Sequence, residues 1–126
     1  MFIHIDPSNG LAIYDQIVRQ VKFAIAAGAL APGELAPSVR EMARDLTVNP
    51  NTVARAYQHL QADAVLAPVR GTGLAVADGA TERCREQRVQ LIGERLRHVL
   101  AEATQSGLTP SQIRHLIDTE LTADQA

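Results

Sequence analysis

Apolar residues recur along this chain in two rhythms. After a β-prone start at Phe2 to Ile5 and a turn over Pro7 to Gly10, Ile17, Val21, Ala24 and Ile25 fall at helical spacing as far as Gly28, which predicts a first helix. A second helix opens at Ser38, because Ser38-Val39-Arg40-Glu41 has the capping-box form in which hydroxyl and carboxylate each satisfy a free backbone N–H. Its stripe is Val39, Met42, Ala43 and Leu46. Asn49 then supplies an N-cap, and Pro50 takes the first helical position, where its missing N–H costs nothing. The third helix therefore begins only a few residues after the second ends. It carries Val53, Ala56, Tyr57 and Leu60 inward and ends near Asp63-Ala64.

The rhythm then changes. Two β-prone runs, Val65 to Val69 and Leu74 to Ala77, flank Arg70-Gly71-Thr72-Gly73 and predict a hairpin, with Pro68 marking the first run as an edge. Asp78-Gly79-Ala80 reads as a hinge. Beyond it Val89, Ile92, Leu96, Val99, Leu100 and Ala103 step by three and four along a charged helix that stops at Gly107. Thr109-Pro110-Ser111-Gln112 is a second capping box, opening a last helix striped by Ile113, Leu116, Ile117 and Leu121.

Two closely joined helices, preceded by a third and followed by a hairpin, make a winged helix-turn-helix. The fold class expected is mostly α with a small β-hairpin: a winged head over residues 1–78 and a two-helix tail over 79–126. Helix geometry, at about 100° per residue, then says which side chains of the third helix face out. With Val53, Ala56, Tyr57 and Leu60 inward, Asn51 and Arg55 fall on the opposite side, with Gln58 and Ala62 close by. Amides and a guanidinium are the groups that read base edges in a major groove. In the second helix Arg40 and Arg44 share one flank, and Glu41 and Asp45 the other. On the wing, Gly71 and Gly73 let backbone N–H groups approach phosphate, while Arg70 brings charge.

Composition narrows the alternatives. The chain has 126 residues, 46% of them apolar, which suits one compact domain with a short appendage and not two full domains. Aromatics are 3% with no Trp, so the core is built from Ala, Leu, Ile and Val, which disfavours an all-β sandwich. The net charge of −2 hides a local excess: between Ser38 and Gly73 four Arg face Glu41, Asp45 and Asp63, leaving +1. A lone Cys84 excludes an internal disulfide and a multi-cysteine zinc site, and fits a reducing cytosol. The longest charge-free apolar stretch, between Lys22 and Glu34, is broken by Gly28, Pro32 and Gly33, so no membrane span is expected. Residues Met1 to Asp6 lack a secretory pattern, and a mature cytoplasmic protein is expected. His59, His98 and His115 show no ligand pairing, and no catalytic set sits at workable spacing; neither enzyme, cofactor nor metal is expected.

Several motifs in order carry a resemblance. Ala12-Ile13-Tyr14-Asp15-Gln16-Ile17, Gly28-Ala29-Leu30-Ala31-Pro32-Gly33, Pro37-Ser38-Val39-Arg40-Glu41, Val48-Asn49-Pro50-Asn51-Thr52-Val53-Ala54-Arg55-Ala56-Tyr57 and Arg70-Gly71-Thr72-Gly73 together resemble the GntR family of bacterial transcription regulators. The resemblance covers about the first sixty per cent of the chain. It implies DNA contact by Arg40, by the polar residues Asn49, Asn51, Thr52 and Arg55, and by the Gly71 region. The short tail is similar to the YtrA subfamily, which lacks a large ligand-sensing domain and dimerises through two C-terminal helices. Ala64 stands where the family usually has Gly, and Leu35-Ala36 where it usually has a basic residue followed by Leu.

The expected function is a homodimeric, sequence-specific repressor of transcription on a double-stranded, inverted-repeat operator. The DNA-binding set expected is Ser38, Arg40, Arg44, Asn49, Asn51, Thr52, Arg55, Arg70, Gly71, Thr72 and Gly73. The dimerisation set is Val89, Ile92, Leu96, Val99, Leu100, Ile113, Leu116 and Ile117, since a stripe left over by a head with its own core needs a second surface. The sequence names no effector. The rival reading is a protein-interaction module using the winged head and helical tail, which predicts no salt-dependent duplex binding.

Overall fold

The apolar stripes set out the elements. In a computed structural model that describes residues 2–124, the chain forms α1 (Ile13–Ala26), α2 (Val39–Leu46), α3 (Pro50–Ala62), β1 (Leu66–Val69), β2 (Gly73–Val76), α4 (Ala80–Gln105) and α5 (Pro110–Asp124). Two compact units result, residues 1–89 and residues 90–126.

The first unit is built on α1 and α3. Ile17, Val21 and Ile25 of α1 and Val53, Ala56 and Leu60 of α3 are wholly or almost wholly buried, joined by Met42 of α2 and Leu66 of β1. Each large aliphatic side chain so enclosed contributes about 1.5–3 kcal/mol. Both caps predicted for this unit form. The Glu41 N–H donates to Ser38 Oγ at 3.1 Å and the Ser38 N–H to Glu41 Oε1 at 3.4 Å, while the Asn51 N–H donates to Asn49 Oδ1 at 2.8 Å. The tight turn between α2 and α3 is made by Thr47, which adopts a left-handed φ of 55° and stops α2.

Two features depart from the sequence pattern. The β-prone start is not a strand; its backbone finds partners in glutamine side chains of α1. Gln20 accepts from the His4 N–H at 2.8 Å and donates to the His4 carbonyl at 2.7 Å, and Gln16 does the same for Asp6 at 2.9 and 2.8 Å. A side-chain amide offers one donor and one acceptor, as a neighbouring strand residue does. The hairpin, in turn, has more than two partners. β1 and β2 pair antiparallel from Leu66↔Val76 to Val69↔Gly73, and the other edge of β2 is taken by the segment before α2. There the N–H groups of Gly33 and Ala36 donate to Val76 and Leu74, and the Val76 N–H donates to Glu34, all at 2.8–2.9 Å. Pro32, Gly33 and Pro37 around this segment give it no strand signature, yet it ties the wing to the start of α2.

The start of α4 also belongs to this unit. Ala80 and Cys84 are fully buried with the head core, and burial pushes the Cys84 thiol pKa up. Arg83 donates to the carbonyls of Ala64 and Asp78, and Arg85 to that of Ala26 at 3.1 Å.

In the second unit the remainder of α4 and α5 are joined through Gly107, whose φ of 97° turns the chain. The Thr109 capping box forms, with the Gln112 N–H donating to Thr109 Oγ1 at 3.2 Å and the Thr109 N–H to Gln112 Oε1 at 2.9 Å. Its apolar stripes stay open. Ile92, Leu96, Val99, Leu116, Ile117 and Leu121 are all exposed, while Leu100 and Ile113 are half-buried. Val89, at the end of the first unit, is 70% exposed.

Candidate nucleic-acid interface

Inward packing of one side of α3 decides what the other side presents. Because Val53, Ala56, Tyr57 and Leu60 are buried, Asn51, Arg55 and Gln58 are carried to the surface and are exposed, with Thr52 half-buried at the flank. Tyr57 serves the scaffold, as its inward position predicts. Its hydroxyl donates to the Pro37 carbonyl at 2.6 Å, and burial raises its pKa, so the phenol stays protonated and holds α3 against the entry to α2.

Capping leaves donors free. Ser38 and Asn49 each use a side-chain oxygen as acceptor for a helix N–H, while the Ser38 hydroxyl proton and the Asn49 side-chain NH2 remain available. Two helix N-termini thus face solvent with donors, an arrangement suited to phosphate oxygens. Arg40 and Arg44 lie on the exposed flank of α2. Arg44 is 3.9 Å from Asp45 across open solvent, a pair worth at most about 1 kcal/mol that another anion can replace.

Six of the predicted residues, Ser38, Asn51, Thr52, Arg55, Thr72 and Gly73, gather in two clefts. One, of about 510 Å³, runs between the start of α2 and the wing and is lined by Pro37, Ser38, Val39, Tyr57, Thr72 and Gly73 among others. The other, of about 400 Å³, is lined by Ile13, Tyr14, Asn51, Thr52 and Arg55. Arg70 and Gly71 sit exposed at the wing tip, where Gly71 has a φ of 77° that a side chain would strain. Arg40, Arg44 and Asn49 are exposed and line neither cleft.

One partner was not found among the outward residues of α3. The Arg55 guanidinium lies over the ring of Tyr14, 3.9 Å from its centroid. Tyr14 belongs to the first turn of α1, and helical periodicity within α3 cannot reveal a neighbour from another element. An aromatic residue off the buried stripe of α1 was the available signal.

Residues 13–76 match the family described as bacterial regulatory proteins, gntR family. The chain belongs to the GntR family. This GntR protein is 34% identical over 122 residues to the HTH-type transcriptional repressor YtrA of Bacillus subtilis, covering 97% of the chain and 93% of that relative. It is similar to a solved GntR family transcriptional regulator from Listeria monocytogenes, with a TM-score of 0.71, 32% identity and coverage of 91% and 98% of the two chains. It is also similar to AraR(DBD) solved in complex with operator ORX1, with a TM-score of 0.53, 25% identity and coverage of 59% and 92%. The GntR protein is accordingly a DNA-binding transcription regulator with a winged-helix head, and not an enzyme. Among the described residues no helix is long and apolar enough to cross a membrane.

Proposed function

We propose that this GntR regulator is a cytoplasmic repressor that binds an inverted-repeat operator as a homodimer. The observation that carries the reading is the outward placement of Asn51 and Arg55 on α3 while the opposite side of the same helix is sealed into the core. Asn51 and Arg55 read base edges in a major groove, Arg suiting the guanine acceptors and Asn an adenine edge. Ser38, Arg40, Arg44, Asn49 and Thr52 hold the flanking phosphates, and Arg70, Gly71, Thr72 and Gly73 bring the wing to the backbone or minor groove. Repression is supported by the name of the Bacillus subtilis relative, which the chain matches over nearly its whole length.

Residues 79–126 form the assembly tail in this reading. Its stripe, Val89, Ile92, Leu96, Val99 and Leu100 on α4 with Ile113, Leu116 and Ile117 on α5, exposed apart from the half-buried Leu100 and Ile113, is covered by a second copy. A two-fold pair of heads then meets half-sites about one helical turn apart, or a multiple of it.

Selection of bound fragments from a random duplex pool, followed by anisotropy titration at several salt concentrations, tests the reading. A palindromic consensus is expected, with affinity falling steeply as salt rises. Recovery of no preferred sequence, or binding indifferent to salt, overturns it.

A further inference from the structure

We infer that Tyr14, a residue of α1, sets the base specificity of α3 by holding Arg55 in reading position; the inference rests on the proposed role of Arg55. The guanidinium carbon of Arg55 lies 3.9 Å from the centre of the Tyr14 ring, in contact with the face of the phenol. Both line the small cleft beside Asn51 and Thr52.

The geometry distinguishes this pairing from an ordinary surface contact. An arginine can be immobilised by a carboxylate, but a carboxylate occupies the same in-plane N–H fork that recognises the paired acceptors of a guanine edge. A ring face holds the guanidinium through its π cloud and puts no carboxylate oxygen into that fork. Arg55 has this kind of restraint alone: among the described residues it has no hydrogen-bond or carboxylate partner, and Asp15, next to Tyr14, is engaged by Arg19 at 3.2 Å. A long side chain that would otherwise sample many rotamers is thereby pre-ordered with its reading edge open. The consequence belongs to discrimination. A positioned fork rewards the correct base pair and leaves a mismatched pair's groups unsatisfied, whereas a mobile arginine spends part of its gain on being ordered at the correct pair.

The full-length protein and its selected operator provide the test, by anisotropy on matched duplexes and on duplexes altered at the base pair that Arg55→Ala relaxes. Tyr14→Leu should lower the matched-to-mismatched ratio by about two- to fivefold, with the salt slope unchanged because no phosphate contact is removed. Tyr14→Phe should retain the ratio, and Tyr14→Leu should add nothing in an Arg55→Ala background. Proton NMR of the unaltered protein gives a reading independent of whether the leucine variant folds: the Arg55 side-chain CH2 signals should be displaced upfield by the ring. Discrimination kept by a folded Tyr14→Leu, an equal loss in Tyr14→Phe, or absence of the displacement overturns the inference and leaves the proposed operator binding intact. Failure of the unaltered protein to select any duplex overturns both.

Discussion

The Lys22 ammonium lies 2.7 Å from Oδ2 of Asp63, joining the middle of α1 to the residue that ends α3. Lys22 is buried while Asp63 remains about one-third exposed, and His59 approaches the same oxygen at 3.3 Å. The hydrogen bond from Lys22 is the main reason the Asp63 carboxyl is held below its ordinary value of 3.8. The pair thus ties the end of α3 to α1. Lys22→Met should cost about 1 kcal/mol, less than for a fully enclosed pair because water reaches Asp63.

A pH dependence follows from the same pair. A folded-state pKa below the unfolded one gives stability that is present above the unfolded value, near 4, and is lost as pH falls through the lower folded value. Urea midpoints measured from pH 7 down to pH 2.5 should therefore fall more for the unaltered protein than for Lys22→Met. Parallel curves would contradict this assignment.

Ala64 carries a φ of 58° at the bend between α3 and β1, a conformation that crowds its Cβ. Ala64→Gly should raise stability by roughly 0.5–1 kcal/mol, and Ala64→Val should lower it, since branching worsens the crowding. Arg83 donates to the Ala64 carbonyl, a bond that neither change removes. Thermal unfolding of the three proteins decides the matter, and a lower midpoint for the glycine variant would be the wrong sign.

On DNA, Arg55→Ala should cost about 1–3 kcal/mol on the matched operator and relax preference at one base pair. Arg40→Ala should instead weaken all duplexes evenly and reduce the salt slope by about 1. Equal losses on matched and mismatched duplexes for Arg55→Ala would remove it from base reading.

Leu96, 48% exposed in the middle of the α4 stripe, gives a test of assembly. Leu96→Glu places a charge where a partner helix is proposed to sit, a cost of several kcal/mol if that surface is covered and almost none if it faces water. Sedimentation should show a dimer for the unaltered protein and a monomer for the variant, with unfolding of the head unchanged. An unaltered protein that sediments as a monomer at high concentration defeats the proposed dimer.

The local elements were legible because their causes are local. A capping box such as Ser38 with Glu41 or Thr109 with Gln112, a Pro50 at the first helical turn, and stripes at helical period act within one or two turns, so residue order alone carries them. From these came the winged head, the buried face of α3 and hence the exposure of Asn51 and Arg55. The tertiary structure decided what depends on distant partners. Gln16 and Gln20 turn a β-prone start into a segment pinned on α1, Gly33 to Ala36 becomes a third line of pairing on β2, and Lys22 meets Asp63 across 41 positions of chain. Tyr14 reaches Arg55 for the same reason: the pairing is set by how α1 crosses α3, and neither helix's periodicity records the other. Residue order determines which side of each helix seeks cover, whereas only the packed chain determines which side chain provides it.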